Sequence, residues 1–229
     1  MQRVPHQVFP ALLTIFTLIS CQNDSNPAPE VKAPGPPKPD TIRIDPVPAE
    51  GAVTFVVTEG IINWLGKRTI GNLHTGTIKV EKGELLVSQN RLIGGTVILD
   101  MTSISANNLK DAGAKADLES HLKDSDFFAV KKYPTGVFKI DEVLPSNMPD
   151  FNWVISGSLT LKDKTNRVNI PVKLDITDTE LEAKSANFVI NRTQWGINFQ
   201  SGLLGTAKDK LIEDIVPLAL TLSAKKKQK

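Results

Sequence analysis

Cysteine is nearly absent from this chain: among 229 residues there is one, Cys21. A single thiol forms no internal disulfide and builds no thiolate metal site. Aromatic residues make up only 6%, and no apolar run approaches the ~18 residues that a membrane-spanning helix needs. An excess of one charge is lacking too, since 27 basic residues stand against 25 acidic ones, interspersed along the chain. Without a polybasic stripe, nucleic acid is not an expected partner. There is no G-x-S-x-G elbow, no H-E-x-x-H pair and no P-loop. Triad, zinc-hydrolase and nucleotide chemistry therefore have no carrier, and neither a cofactor nor an enzyme activity is expected. The 40% hydrophobic content is nevertheless too high for wholesale disorder.

The position of the one cysteine is informative. Residues 1–20 read as a secretory signal, with Arg3 ahead of a mostly apolar run from Val8 to Ile19 that is too short to span a bilayer. The run ends in Leu18-Ile19-Ser20-Cys21, which resembles a bacterial lipobox. That resemblance implies a diacylglyceryl group on the Cys21 sulfur and a mature chain that starts there. The plainer alternative is an ordinary signal peptide with a chance cysteine. At ~0.8 kcal/mol per buried methylene, two or three acyl chains would anchor the protein stably to a membrane. Gln22, rather than aspartate, follows the cysteine, which favours the outer membrane of a bacterial envelope, facing the periplasm. Residues 22–40 contain six prolines and almost no apolar side chain, so residues 21–40 read as a lipidated cysteine and an extended tether.

From Thr41 the pattern changes to period-two alternation, the mark of half-buried strands. Val168, Ile170, Val172, Leu174 and Ile176 alternate with polar residues and Pro171, and Val216, Leu218, Leu220 and Leu222 repeat the theme. Further strands are expected at 51–64, 72–82, 84–90, 92–103 and 181–191, with Pro171 and Pro217 at ladder interruptions or rims. One helix is expected from Leu109 to Lys123, and a second, short one is possible around Ala207–Leu211. The run Thr193–Gly205 reads largely as a loop, and residues 225–229 as a basic, solvated tail. At least eight strands within 41–224 indicate one all-β domain, an antiparallel barrel or sandwich.

Beyond the signal, His74 and His121 are the only histidines. A lone histidine is usually a hydrogen-bonded structural residue, and contact with a ligand head group is the functional alternative. Eleven aromatics fall in the folded part, several beside glycine or polar turns: Trp64, Phe127-Phe128, and Trp195 ahead of Gly196. Singly they read as core; as a set they suit the wall of an apolar cavity.

Five ordered segments resemble the YceI-like family of bacterial lipid and polyisoprenoid binders. They are Trp64-Leu65-Gly66-Lys67 with Gly71 to Ile78, then Gly95 to Ile104, and His121 to Phe128 with Tyr133-Pro134-Thr135 and Phe138. Leu159 to Thr165 and Asn191 to Ile197 complete the series. In two places the chain departs from the family: Asn191 replaces an aspartate common before the arginine, and Asp163 replaces a turn glycine. The resemblance implies an extended, eight-stranded, lipocalin-like antiparallel β-barrel whose apolar lumen holds an isoprenoid or fatty amphiphile. Strand phase nominates Trp64, Ile78, Val80, Leu99, Phe138, Leu159, Val172, Phe188, Leu218 and Leu220 as its lining, and the aromatic pair Phe127 and Phe128 joins them. His74, His121, Arg192 and Trp195 are the candidates for polar or stacking contacts at its ends. Rival readings are a stress-related barrel filled by its own side chains and an enzyme using His74 or His121. An exposed barrel edge would allow a homodimer.

Overall fold

Residues that alternate in polarity become strands here because each strand keeps one face dry and the other wet. In the computed structural model, which describes residues 50–228, nine strands follow in order. They are β1 (Val53–Lys67), β2 (Leu73–Ser88), β3 (Arg91–Ala106), β4 (Thr135–Met148), β5 (Phe151–Leu161), β6 (Lys164–Ile176), β7 (Glu180–Ser185), β8 (Phe188–Asn191) and β9 (Ile215–Lys226). The signal segment, Cys21 and the proline-rich tether lie outside the described residues. One helix, α1 (Ala112–Lys123), interrupts the series between β3 and β4.

Each strand pairs antiparallel with its successor from β1 to β7, and β9 joins β7 to β1, closing the sheet on itself. β7 and β8 both pair with β9, β7 over Thr221–Lys225 and β8 over Ile215–Leu218, so together they make one stave. The result is an eight-stranded closed antiparallel barrel with one short helix. Closure leaves no full-length strand edge among the described residues.

Several boundaries differ from the sequence expectation. Segments 72–82 and 84–90 form a single strand, because β2 slips register between Val80 and Lys82 and resumes alternation on the far side. The expected strand 181–191 breaks between Ser185 and Phe188. No helix forms at Ala207–Leu211; short 3₁₀ turns occur instead at Arg192–Trp195 and Gly202–Leu204, inside the run read as loop. α1 starts three residues later than Leu109, because the Asp111 carboxylate accepts from Ala114 N at 2.7 Å and caps the helix. The lysines at 225 and 226 belong to β9, and Lys227 Nζ pairs with Glu84 at 3.0 Å, so the tail begins later than expected.

Both prolines sit where a ladder ends. The β6–β7 pairing stops at Val172, one residue after Pro171, and the β1–β9 pairing stops at Leu218, one residue beyond Pro217. The interior is divided along the barrel axis. Phe55, Leu85, Val172, Leu174, Leu181 and Ala224, around the start of β1 and the end of β9, are buried and fill one half. The half reached by the end of β1 is hollow.

Candidate ligand-binding lumen

The hollow half encloses about 160 Å³. Its wall is carbon almost throughout. Trp64, Ile78, Leu99, Phe138, Leu159, Phe188, Leu218 and Leu220 contribute from the strands, and Phe127 and Phe128 from the segment after α1. Rows of these residues face one another across paired strands: Trp64 lies opposite Leu218, Leu218 opposite Phe188, and Phe138 opposite Leu159. Glycines make room for the rings. Gly76 is directly across from Trp64, and a β-carbon there would run into the indole and into the Ser105 carbonyl. Gly157 gives the Phe138 ring the same freedom.

The wall also includes Ile62, Val97, Met101, Ile104, Leu161, Val168, Ile170, Ile212 and Val216. Of these, Ile62, Val97, Met101, Leu161, Val168, Ile170 and Val216 share the alternation that nominated their neighbours, so period-two phase contained the signal there, while Ile104 lies out of step with Leu99 and Met101. Val80 and Val172 are the exceptions among the nominated residues. Val80 packs against the backbone of Gly60, and Val172 is completely buried opposite Trp153, so neither borders the cavity. Their strand phase is inward; their height along the barrel puts them in the filled half.

Two charged residues reach the wall, Arg192 and Glu213. Arg192 is buried, and every one of its guanidinium hydrogens has a partner. Nε donates to the Glu213 carbonyl (3.1 Å), Nη1 to the carbonyls of Ile197 (2.8 Å) and Phe199 (2.9 Å), and Nη2 to the Ile212 carbonyl (3.0 Å) and the Asp214 carboxylate (2.9 Å). Burial lowers its pKa from the usual arginine value, and Asp214 opposes that shift. Arg192 therefore ties the 197–199 and 212–214 segments together across one end of the lumen and has no hydrogen left for a head group. Asn191 adapts to its place by capping the 3₁₀ turn, its Oδ1 accepting from Thr193 N (3.1 Å) and Oγ1 (2.8 Å). Glu213 pairs with Lys67 at 3.2 Å.

Trp195 is fully buried outside the cavity and donates from Nε1 to the Leu159 carbonyl at 3.0 Å. It holds a wall strand from behind. His121 does likewise for Phe127: its ring stands edge-on to Phe127 (4.9 Å) and Phe199 (4.7 Å), with Asp126 3.5 Å from Nε2. His74 lies across from Gly66, a wall residue, and its Nδ1 is buried without a partner among the described residues; so is Trp64 Nε1. Of the four polar candidates, His74 alone combines a place beside the wall with an unused polar atom.

The family model of the YceI-like domain matches residues 43–224. The chain belongs to the YceI-like family. Two solved structures share the fold at low identity. BcnA of Burkholderia cenocepacia is 17% identical with a TM-score of 0.55, over 77% of this chain and 98% of that one. A polyisoprenoid binding domain from Saccharophagus degradans, implicated in plant cell wall breakdown, is 10% identical with a TM-score of 0.54, over 76% and 99%. No curated protein matches the chain. The YceI-like barrel expected from the five sequence segments is the barrel observed. The turn at Lys162-Asp163 keeps its tight form without the family glycine: both residues have positive φ (47° and 61°), and they link Leu161 to Lys164.

Proposed function

We propose that this protein binds a long-chain apolar amphiphile, of the isoprenoid or fatty class, in the lumen, and sequesters or ferries it. The observation that carries the reading is a carbon-lined cavity whose one buried cation is wholly consumed by the protein itself. A ligand there gains from buried area, at ~25 cal/mol per Å² before ordering costs, and needs no catalytic group. The likeness to a polyisoprenoid binding domain supports the same class. At about 160 Å³ the lumen is smaller than the ~300–1,000 Å³ of common small-molecule sites. A single slender chain fits that space better than a branched or polycyclic lipid, and a long one must displace wall side chains as it enters. His74 Nδ1 and Trp64 Nε1 are the atoms available to a polar head. We further infer from the lipobox that Cys21 carries the lipid anchor and holds the domain in the bacterial envelope, at the outer membrane.

Native mass spectrometry of residues 43–229, the span that contains every described strand, tests the binding reading. Copurified or added isoprenoid or fatty amphiphile is expected to appear as a one-to-one adduct. An empty barrel that also refuses both classes would overturn it. Intact-mass measurement of the membrane-extracted full chain tests the anchor, through the diacylglyceryl increment on Cys21.

A further inference from the structure

The lumen accounts for the inner apolar residues but not for a group of outer ones. Leu203, Leu204 and Ile70 are the most exposed large apolar side chains among the described residues, at 73%, 66% and 61%. Exposed apolar residues scattered singly need no explanation, but the segments that carry these three are joined through a shared one, 211–212. Thr69 N donates to the Leu211 carbonyl at 2.9 Å, Arg68 bridges to Ile212, and Ile212 N donates to the Gln200 carbonyl at 2.9 Å. Leu211 in turn packs beside Gly202, the residue before Leu203. The β1–β2 hairpin tip and the Gly202–Leu204 turn are thus one ledge, at the end of the barrel where Gly66, Ile212 and Glu213 border the lumen.

We propose that this ledge is a membrane-docking surface that inserts into the interface of an anionic bilayer. Charge supports that occupant. Arg68, Lys208 and Lys210 flank the apolar tips, against Asp209 alone, while Lys67 and Glu213 cancel each other. No acid among the described residues lies within salt-bridge distance of those three cations. Leucine and isoleucine tips with unpaired cations close by along the chain suit the boundary between head groups and acyl chains. Two short loops offer far less than the roughly 800 Å² per partner of a standard protein interface. The anchor, where present, permits the contact. The nineteen residues 22–40, read from their composition as an extended tether, reach at most roughly 60 Å at ~3.1 Å each, and the fifteen residues of β1 span about 50 Å. A tether of that length is long enough for the ledge to meet the same membrane.

The proposal does not depend on what the lumen holds, because docking is read without ligand. Unlipidated residues 43–229 are sedimented with vesicles of phosphatidylcholine alone or with 30% phosphatidylglycerol. The expected result is partition into the anionic vesicles that falls at least tenfold in the triple variant Ile70→Ser/Leu203→Ser/Leu204→Ser. The variant Arg68→Gln/Lys208→Gln/Lys210→Gln should lose the preference for anionic vesicles. Circular dichroism and adduct formation in native mass spectrometry should stay unchanged in both, which separates this outcome from failure of the lumen reading. Absence of vesicle binding by the unmodified domain, or partition within twofold in the triple serine variant, would overturn the proposal. So would a dimer that the serine variant dissolves, since it would assign the ledge to a second copy instead.

Discussion

Arg192 and Asp214 meet at 2.9 Å across the end of the lumen, and the arginine side chain is 5% exposed against 25% for the carboxylate. The pair joins a 3₁₀ turn to the segment that leads into β9. Because four carbonyls share the same guanidinium, its removal would strand several buried acceptors at once. Arg192→Met is therefore expected to cost about 3–5 kcal/mol, the range for breaking a buried pair from one side. Arg192→Lys should recover only part of that, since an ammonium has three donors and no planar fork. Denaturant unfolding of the variants checks this, and a loss under ~1 kcal/mol for Arg192→Met would mean that the guanidinium is not the clamp described.

Gly76 sets a second expectation. The indole of Trp64 occupies the space a β-carbon would take, and the Ser105 carbonyl closes it from the other side. Gly76→Ala must push the ring into the lumen or shift β2, a form of overpacking worth about 1–3 kcal/mol. Chemical denaturation reads the loss, and a weaker amphiphile adduct in native mass spectrometry reads the intrusion of the ring. Unchanged stability would show that the site relaxes freely.

The turn that lacks the family glycine offers a double-mutant cycle. Tyr133 donates its hydroxyl to Asp163 Oδ2 at 2.7 Å, while Asp163 holds a left-handed backbone. Asp163→Gly relieves the backbone but deletes the hydrogen bond, and at about 1 kcal/mol each the two effects nearly cancel. Tyr133→Phe should then cost roughly 0.5–1.5 kcal/mol in the parent and almost nothing in the Asp163→Gly background. Equal costs in both backgrounds would show that the two side chains are not coupled.

The faces of the strands were legible in the sequence because period two is a local property. Val168, Ile170, Val172 and Leu174 all point inward as their alternation requires, and all are buried. Height along the barrel is not local. It depends on which residues of other strands stand opposite, so Val172 has the right face and the wrong half, as does Val80. The bulge in β2 escaped because a one-residue slip looks like the end of a strand. The role of Arg192 escaped for a different reason. Four of its five acceptors are backbone carbonyls, of residues 197, 199, 212 and 213, which carry no sequence signature, and a buried arginine near a lumen reads as a head-group contact until those carbonyls are located. The 3₁₀ turns at Arg192 and Gly202 were unreadable for lack of any repeat long enough to have a period.

Filling the lumen separates a binding cavity from a packing flaw. Leu220 is half-buried on β9 and borders the empty volume. In Leu220→Trp the added ring atoms enter space that holds no protein atom, so stability is expected to change by less than ~1 kcal/mol, below the ~1–3 kcal/mol typical of overpacking a filled core. Amphiphile affinity, measured by titration of the isolated domain, should fall at least tenfold, a change of ~1.4 kcal/mol. The same variant with unaltered affinity would move the ligand away from this half of the barrel. A large loss of stability would instead mean that side chains already claim the space. Val172→Ala is the matching control: it opens a void in the filled half at a cost of about 1–3 kcal/mol, and should leave amphiphile affinity within twofold, since Val172 does not border the lumen.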